Sequence, residues 1–127
     1  MSQHRSFLSR ARGLGASGTG VDHWWMQRLS AVANLFLTLG VLTLLVMQTG
    51  KSYLEVQACL SGLVPTVILI LFVGSTFFHA ALGLQVVIED YVHARALHLF
   101  LMFKVRFGLT ILALASILMI LKNFFEA

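Results

Sequence analysis

The sequence predicts an all-α membrane protein with three transmembrane helices. Of its 127 residues, 58% are hydrophobic and only 11% are charged, whereas a soluble domain is roughly 45–50% apolar and about 25% charged. Nine Lys and Arg together with five Asp and Glu cannot give a soluble chain of this size a polar surface. These charges also lie in clusters, separated by apolar runs long enough to cross a bilayer. A self-contained soluble enzyme is therefore excluded.

The first predicted helix covers residues 29–48. No charged residue lies between Arg28 and Lys51, and about 20 residues at 1.5 Å each span the ~30 Å hydrocarbon layer. Trp24 and Trp25 precede this run, where paired aromatic side chains are typical of the membrane interface.

The second and third predicted helices cover residues 63–88 and 97–121. Pro65 falls in the first turn of the second helix, where its missing N–H costs no hydrogen bond. The uncharged stretch between Arg106 and Lys122 is short for a span, so the apolar residues before Lys104 extend it. We expect Lys104 and Arg106 to extend towards an interface or to face a partner.

The distribution of Lys and Arg predicts the orientation. Seven of them lie in the N-terminal segment and the second connection: Arg5, Arg10, Arg12, Arg28, Arg95, Lys104 and Arg106. Only Lys51 and Lys122 lie on the opposite side. Because inner loops carry the excess of basic residues, we expect the N-terminus inside and the C-terminus outside.

Two parts of the chain differ in composition. Residues 1–22 are predicted to be a basic, Gly-, Ser- and Arg-rich cytoplasmic segment, and residues 23–127 a three-helix transmembrane anchor domain. A transit peptide would have a similar composition, but a cytoplasmic tail is favoured. A bacterial cytoplasmic (inner) membrane is accordingly favoured over the mitochondrial inner membrane.

His79 is the notable polar residue within the predicted spans. It lies about 15 Å from the membrane boundary expected near Glu89, and ionisable side chains at such depth are functional candidates. Helical spacing places it on one face with Phe72, Ser75, Thr76 and Gly83. Small residues beside a histidine leave room for a haem edge, with a neutral imidazole as the ligand. The alternative is a histidine hydrogen-bonded to a neighbouring helix, with small residues serving close packing.

The other histidines do not provide a second deep ligand. His23, His93 and His98 all lie near the inner interface, so a bis-histidine haem would need a ligand from a partner subunit. Gln85 and Asn34 are expected to form hydrogen bonds between helices rather than to act as ligands.

Titratable residues are densest at the end of the second helix. Asp90 lies eleven positions after His79, about 20° past three full turns, and Tyr91 follows it. A tyrosine hydroxyl beside a carboxylate could hydrogen-bond a quinone carbonyl and deliver protons. Equally, tyrosines and charges are common at span ends without any such role.

Two segments of the chain resemble a known family. HAALGLQVVIEDYV (residues 79–92), with its His-x10-Asp-Tyr spacing, and GVDHWWMQRLSAV (residues 20–32) resemble the D-type hydrophobic membrane-anchor subunit of succinate dehydrogenase. The form is the one common in alphaproteobacteria and related to the mitochondrial subunit. The resemblance extends from about residue 12 to residue 121 and includes three spans of the same polarity pattern.

This resemblance implies cofactors and partners. The complex contains a flavoprotein subunit, an iron–sulfur subunit and two anchors that enclose haem b and a ubiquinone pocket, so the partners include the companion C-type anchor and membrane lipids, and no nucleic acid. By the same resemblance His79 is one axial ligand of the haem iron, and Tyr91 and Asp90 belong to the quinone pocket. Arg28 is placed near the haem propionates, where a permanently charged guanidinium pairs well with carboxylates.

The expected role is that of an electron-transfer subunit. The complex passes electrons from succinate oxidation to quinone, and this chain alone should catalyse nothing, because the redox chemistry belongs to the cofactors. Two alternatives remain: the anchor of a menaquinol-fumarate reductase, and a small helical membrane scaffold without a cofactor.

Overall fold

The computed structural model describes residues 18–126, and all regular structure in this range is helical. Three long helices, α1 (Gly18–Met47), α3 (Leu63–Tyr91) and α4 (Arg95–Glu126), are joined by a short helix α2 (Tyr53–Leu60) and by brief connections. All three long helices are apolar enough to cross a membrane. The predicted fold class is therefore confirmed, and the chain is an integral membrane protein.

The helices are longer than the apolar runs that predicted them. With 30, 29 and 32 residues, α1, α3 and α4 are about 45 Å long, well beyond a ~30 Å hydrocarbon layer. Hydropathy marks only where a helix is apolar, whereas the backbone hydrogen bonds continue through its polar flanks. The short helix α2 has no counterpart in the sequence prediction, because it crosses no membrane.

The connection between α1 and α3 folds back through local hydrogen bonds. Gly50 adopts a φ of 80° in the turn that follows α1, a conformation that side chains rarely allow. At the start of α2, the Glu55 carboxylate accepts hydrogen bonds from the backbone N–H and the hydroxyl of Ser52, both over 2.8 Å. Pro65 lies in the first turn of α3, as predicted. Nearby, the buried Thr66 hydroxyl donates to the Leu60 carbonyl.

The arrangement of the long helices is a layer with α3 in the middle. Helix α3 packs against α1 on one side and against α4 on the other, and within residues 18–126 α1 does not contact α4. Among residues 21–126, only three are buried: Ser30, Thr66 and Ile88. Most of the apolar surface therefore faces outwards, towards lipid or other subunits.

The predicted segment boundary at residues 22 and 23 stays a prediction. Residues 1–17 lie outside the described part of the chain, and α1 already includes the remainder of that segment. Orientation across the membrane is likewise still an expectation.

Candidate functional site

The seam between α1 and α3 contains His79. The two helices run antiparallel: Gly40 lies against Ile68, while Gln27 lies against Gly83 near the other end. At Gly83 a Cβ would make ordinary contact with Gln27 Nε2, at 3.6 Å. The small residue one turn from His79 therefore faces α1.

His79 is half-buried on α3 and forms a hydrogen bond across this seam. Its Nδ1 lies 2.9 Å from the hydroxyl oxygen of Ser30 on α1. Ser30 is only 7% exposed, and its hydroxyl also lies 3.1 Å from the Gln27 carbonyl oxygen, one turn earlier. This interhelical hydrogen bond is the role that the sequence left open for His79 as the alternative to haem ligation. The bond uses only one of the two ring nitrogens.

The second ring nitrogen of His79, Nε2, is the one that could bind haem iron. Within residues 18–126, no hydrogen bond is formed by His79 Nε2. An imidazole held at one nitrogen and open at the other has the arrangement that metal-ligating histidines show. No three His, Cys, Asp or Glu side chains in the described range cluster into a metal site. The residues present thus fit a single axial ligand better than a closed metal cage.

Helix α1 presents a polar stripe to this seam, consisting of His23, Gln27, Ser30 and Asn34. Three atoms of the stripe, His23 Nε2, Gln27 Oε1 and Asn34 Oδ1, are buried without a hydrogen-bond partner among residues 18–126. A buried polar atom without a partner costs about 1–3 kcal/mol. The stripe therefore has hydrogen-bonding capacity for groups from outside the described chain.

Ser30 and Gln27 were not predicted as site residues, although the sequence contains a signal for them. The four stripe residues recur at intervals of four, three and four positions, the spacing of one helix face. They lie in or beside an otherwise apolar span, where polar side chains are expected to have a reason. Asn34, expected to bond between helices, has no such bond from Oδ1 within the described range.

Arg28 lies on α1 outside this stripe. Its guanidinium carbon is 4.9 Å from the centre of the Trp24 ring, a cation–π contact worth about 0.5–1 kcal/mol when exposed. The Arg28 side chain is exposed, and it forms no ion pair with the carboxylates of residues 18–126. The structure does not bring Arg28 into contact with His79.

Asp90 and Tyr91 form the last turn of α3. Both are exposed, Tyr91 to 79%, and the chain leaves the helix at Val92 with an extended backbone. No side-chain hydrogen bond within the described range holds either of them. Their polar groups are free to contact a substrate or another subunit, but this chain alone does not enclose a pocket around them.

Gln85 connects the other side of α3 to α4. It accepts a hydrogen bond from Arg106 over 2.9 Å and donates one to Glu89 over 2.8 Å. The expectation that Gln85 bonds between helices is thus confirmed. Lys104 is exposed, and its expected position at an interface or a partner contact stays a prediction.

Comparisons with known proteins point to one family. A family model described as the succinate dehydrogenase/fumarate reductase transmembrane subunit matches residues 1–120. The succinate dehydrogenase hydrophobic membrane anchor subunit of Rickettsia bellii is 28% identical over 93 residues, covering 73% of this chain and 74% of that protein. No solved structure matches the chain.

Proposed function

Since the chain belongs to the family of succinate dehydrogenase/fumarate reductase transmembrane subunits, we propose that it is a membrane anchor of succinate dehydrogenase that binds haem b and ubiquinone. The similarity to an anchor subunit from Rickettsia bellii supports succinate dehydrogenase. The observation that carries the cofactor proposal is His79, half-buried in the α1–α3 seam and hydrogen-bonded among residues 18–126 through Nδ1 alone. The proposed location is a bacterial cytoplasmic membrane.

His79 would hold the haem iron through Nε2, and the companion C-type anchor would provide the second ligand. When bound, a b-type haem supplies a one-electron redox centre within the membrane. The role of this chain is to hold the imidazole in the correct orientation. The buried atoms of the α1 polar stripe that have no partner among residues 18–126 support a seam that groups from outside the described range complete. Arg28 is proposed to lie near the haem propionates.

Tyr91 and Asp90 are proposed to serve the quinone. The Tyr91 hydroxyl donates a hydrogen bond to a quinone carbonyl, and Asp90 lies at the aqueous side, where protons enter. Reduction to the quinol needs two electrons, supplied by the iron–sulfur subunit, and two protons, supplied by water. The exposure of both side chains supports a pocket that another subunit closes. The chain has no activity alone.

The experiment for the haem uses the complex purified through a tag on this chain. The reduced spectrum should show a b-type band, and flavoprotein and iron–sulfur subunits should co-purify. His79→Leu should remove or strongly alter the band, whereas His93→Leu, at an exposed histidine beyond α3, should not. A complex without the band would favour the cofactor-free scaffold, and a band unaffected by His79→Leu would remove His79 as the haem ligand.

The quinone is tested separately. Tyr91→Phe should lower quinone reduction at least tenfold and leave succinate oxidation by an artificial acceptor intact. Tyr53→Phe is the matched control, because Tyr53 is equally exposed, at 78%, at the start of α2. Unchanged quinone reduction in Tyr91→Phe would make Tyr91 an ordinary interfacial residue. Assays with ubiquinone and menaquinol analogues distinguish succinate oxidation from fumarate reduction.

A further inference from the structure

The hydroxyl of Ser30 has two neighbours but only one hydrogen to donate. Ser30 Oγ lies 3.1 Å from the Gln27 carbonyl oxygen and 2.9 Å from His79 Nδ1. A carbonyl oxygen can only accept, whereas a ring nitrogen can donate or accept. Both contacts are hydrogen bonds only if the hydroxyl donates to the Gln27 carbonyl and accepts from an Nδ1–H of His79.

This pattern determines the tautomer of the imidazole. With its hydrogen on Nδ1, neutral His79 carries its lone pair on Nε2. If Ser30 donated to Nδ1 instead, Nε2 would carry the hydrogen and could not bind a metal, and the contact with the Gln27 carbonyl would be lost. The arrangement that satisfies every group therefore also produces a ligand at Nε2.

The surroundings make the hydrogen bond persistent. Ser30 is 7% exposed, so water does not compete for its hydroxyl, and hydrogen bonds are stronger in such a low-dielectric setting. Gln27 lies against Gly83, one turn from His79, and this close helix approach holds the Ser30 backbone beside the imidazole. The orientation of the ring thus depends on the position of α1.

We infer that Ser30 is a positioning residue for His79. By accepting the Nδ1–H, the Ser30 hydroxyl fixes the tautomer and the ring plane, and it makes Nε2 a stronger electron-pair donor to the iron. This inference rests on the proposed function, since it concerns the haem ligand. It adds a residue on α1 to a site whose ligand lies on α3. A stronger imidazole donor favours ferric over ferrous iron, so the Ser30 hydroxyl lowers the potential of the haem.

The test replaces Ser30 in the assembled complex and measures the haem rather than turnover. In Ser30→Ala the midpoint potential should become more positive, and the largest g value of the ferric haem should shift because the ring is no longer held. The affinity for haem, measured by its loss under mild denaturant, should be about 10- to 100-fold lower, the usual effect of removing such a partner. Ser30→Thr keeps a hydroxyl and should stay close to the wild type.

Two further variants separate the hydrogen bond from packing. Ser30→Val has the shape of Ser30→Thr without a hydroxyl, so it should behave as Ser30→Ala does, even if the alanine variant assembles poorly. Ser116→Ala is the matched control, because the Ser116 hydroxyl donates only to the Leu112 carbonyl, on α4. It should leave the potential and the g values unchanged.

The possible failures are distinguishable. If the wild-type complex contains no haem, or keeps it in His79→Leu, the proposed function fails. If haem depends on His79 but Ser30→Ala and Ser30→Val retain the wild-type potential and g values, only the role of Ser30 is overturned. Equal shifts in the Thr and Val variants would also overturn it, because packing alone would then explain the effect.

Discussion

The Arg106 guanidinium donates a hydrogen bond of 2.9 Å to Gln85 Oε1, and Gln85 Nε2 donates a second one of 2.8 Å to the Glu89 carboxylate. This chain of polar groups joins α4 to the last turns of α3, directly before Asp90 and Tyr91. The Arg106–Gln85 bond is the one side-chain hydrogen bond between α3 and α4 in residues 18–126. It therefore links the position of α4 to the end of α3 where the quinone is proposed to bind.

The Arg106–Gln85 bond should contribute measurably to stability. We expect Arg106→Ala to cost about 1 kcal/mol in the complex, since net hydrogen bonds contribute about 0.5–1.5 kcal/mol. A double-mutant cycle with Gln85→Ala, followed by thermal unfolding, should show a coupling of that size. Lys104→Ala, on the same helix but outside this network, should show no coupling with Gln85→Ala. Additive effects of Arg106→Ala and Gln85→Ala would contradict the prediction.

The crossing of α1 and α3 should accept one carbon at Gly83 but not a large side chain. A Cβ there would make ordinary contact with Gln27 at 3.6 Å, so Gly83→Ala should be neutral or stabilise by up to about 1 kcal/mol through helix propensity. Gly83→Leu should push Gln27 away and destabilise by about 1–3 kcal/mol, with a perturbed haem spectrum. Both effects are measured on the purified complex.

Gly74 provides the control for this prediction. It lies on the same helix, and a Cβ there would meet nothing within 4 Å. Gly74→Leu should therefore be tolerated better than Gly83→Leu. Equal melting temperatures for the two leucine variants would show that the approach of α1 to α3 does not restrict the size of the side chain at position 83.

The Ser52–Glu55 interaction should make the stability of the first turn of α2 dependent on pH. The backbone N–H of Ser52, and then its hydroxyl, lower the pKa of Glu55 below its ordinary value of 4.5. Because the pKa is lowered on folding, the stabilisation is present above pH 4.5 and is lost as the pH falls through the folded-state pKa. NMR titration of the Glu55 carboxyl should show the low pKa, and Ser52→Ala should move it part of the way back. An unchanged pKa in that variant would exclude the hydroxyl as a contributor.

The orientation can be tested with a single thiol. Cys59 is the one cysteine of the chain, so Cys59→Ser provides a background without thiols. In intact cells, Lys51→Cys, in the exposed turn after α1, should react with an impermeant maleimide. Ala94→Cys, exposed in the connection between α3 and α4, should react only after permeabilisation. The reverse pattern would show that the basic connections lie outside.

Much of the fold followed from residue order alone. The apolar runs predicted three spans, and Pro65 correctly marked the first turn of α3. Helix α2 escaped prediction because it is a short element outside the membrane, stabilised by local bonds such as those of Glu55 rather than by a long apolar run. For the same reason, the bounds of the long helices extend beyond the runs that predicted them.

The sequence by itself determined that this chain is an integral membrane protein, because its apolar runs are long enough to cross a bilayer. It also indicated His79 as a candidate ligand. Only the tertiary structure decided that α3 lies between α1 and α4, and that Ser30 meets His79. That contact depends on how two antiparallel helices cross, and helix spacing within one segment carries no information about the register of another.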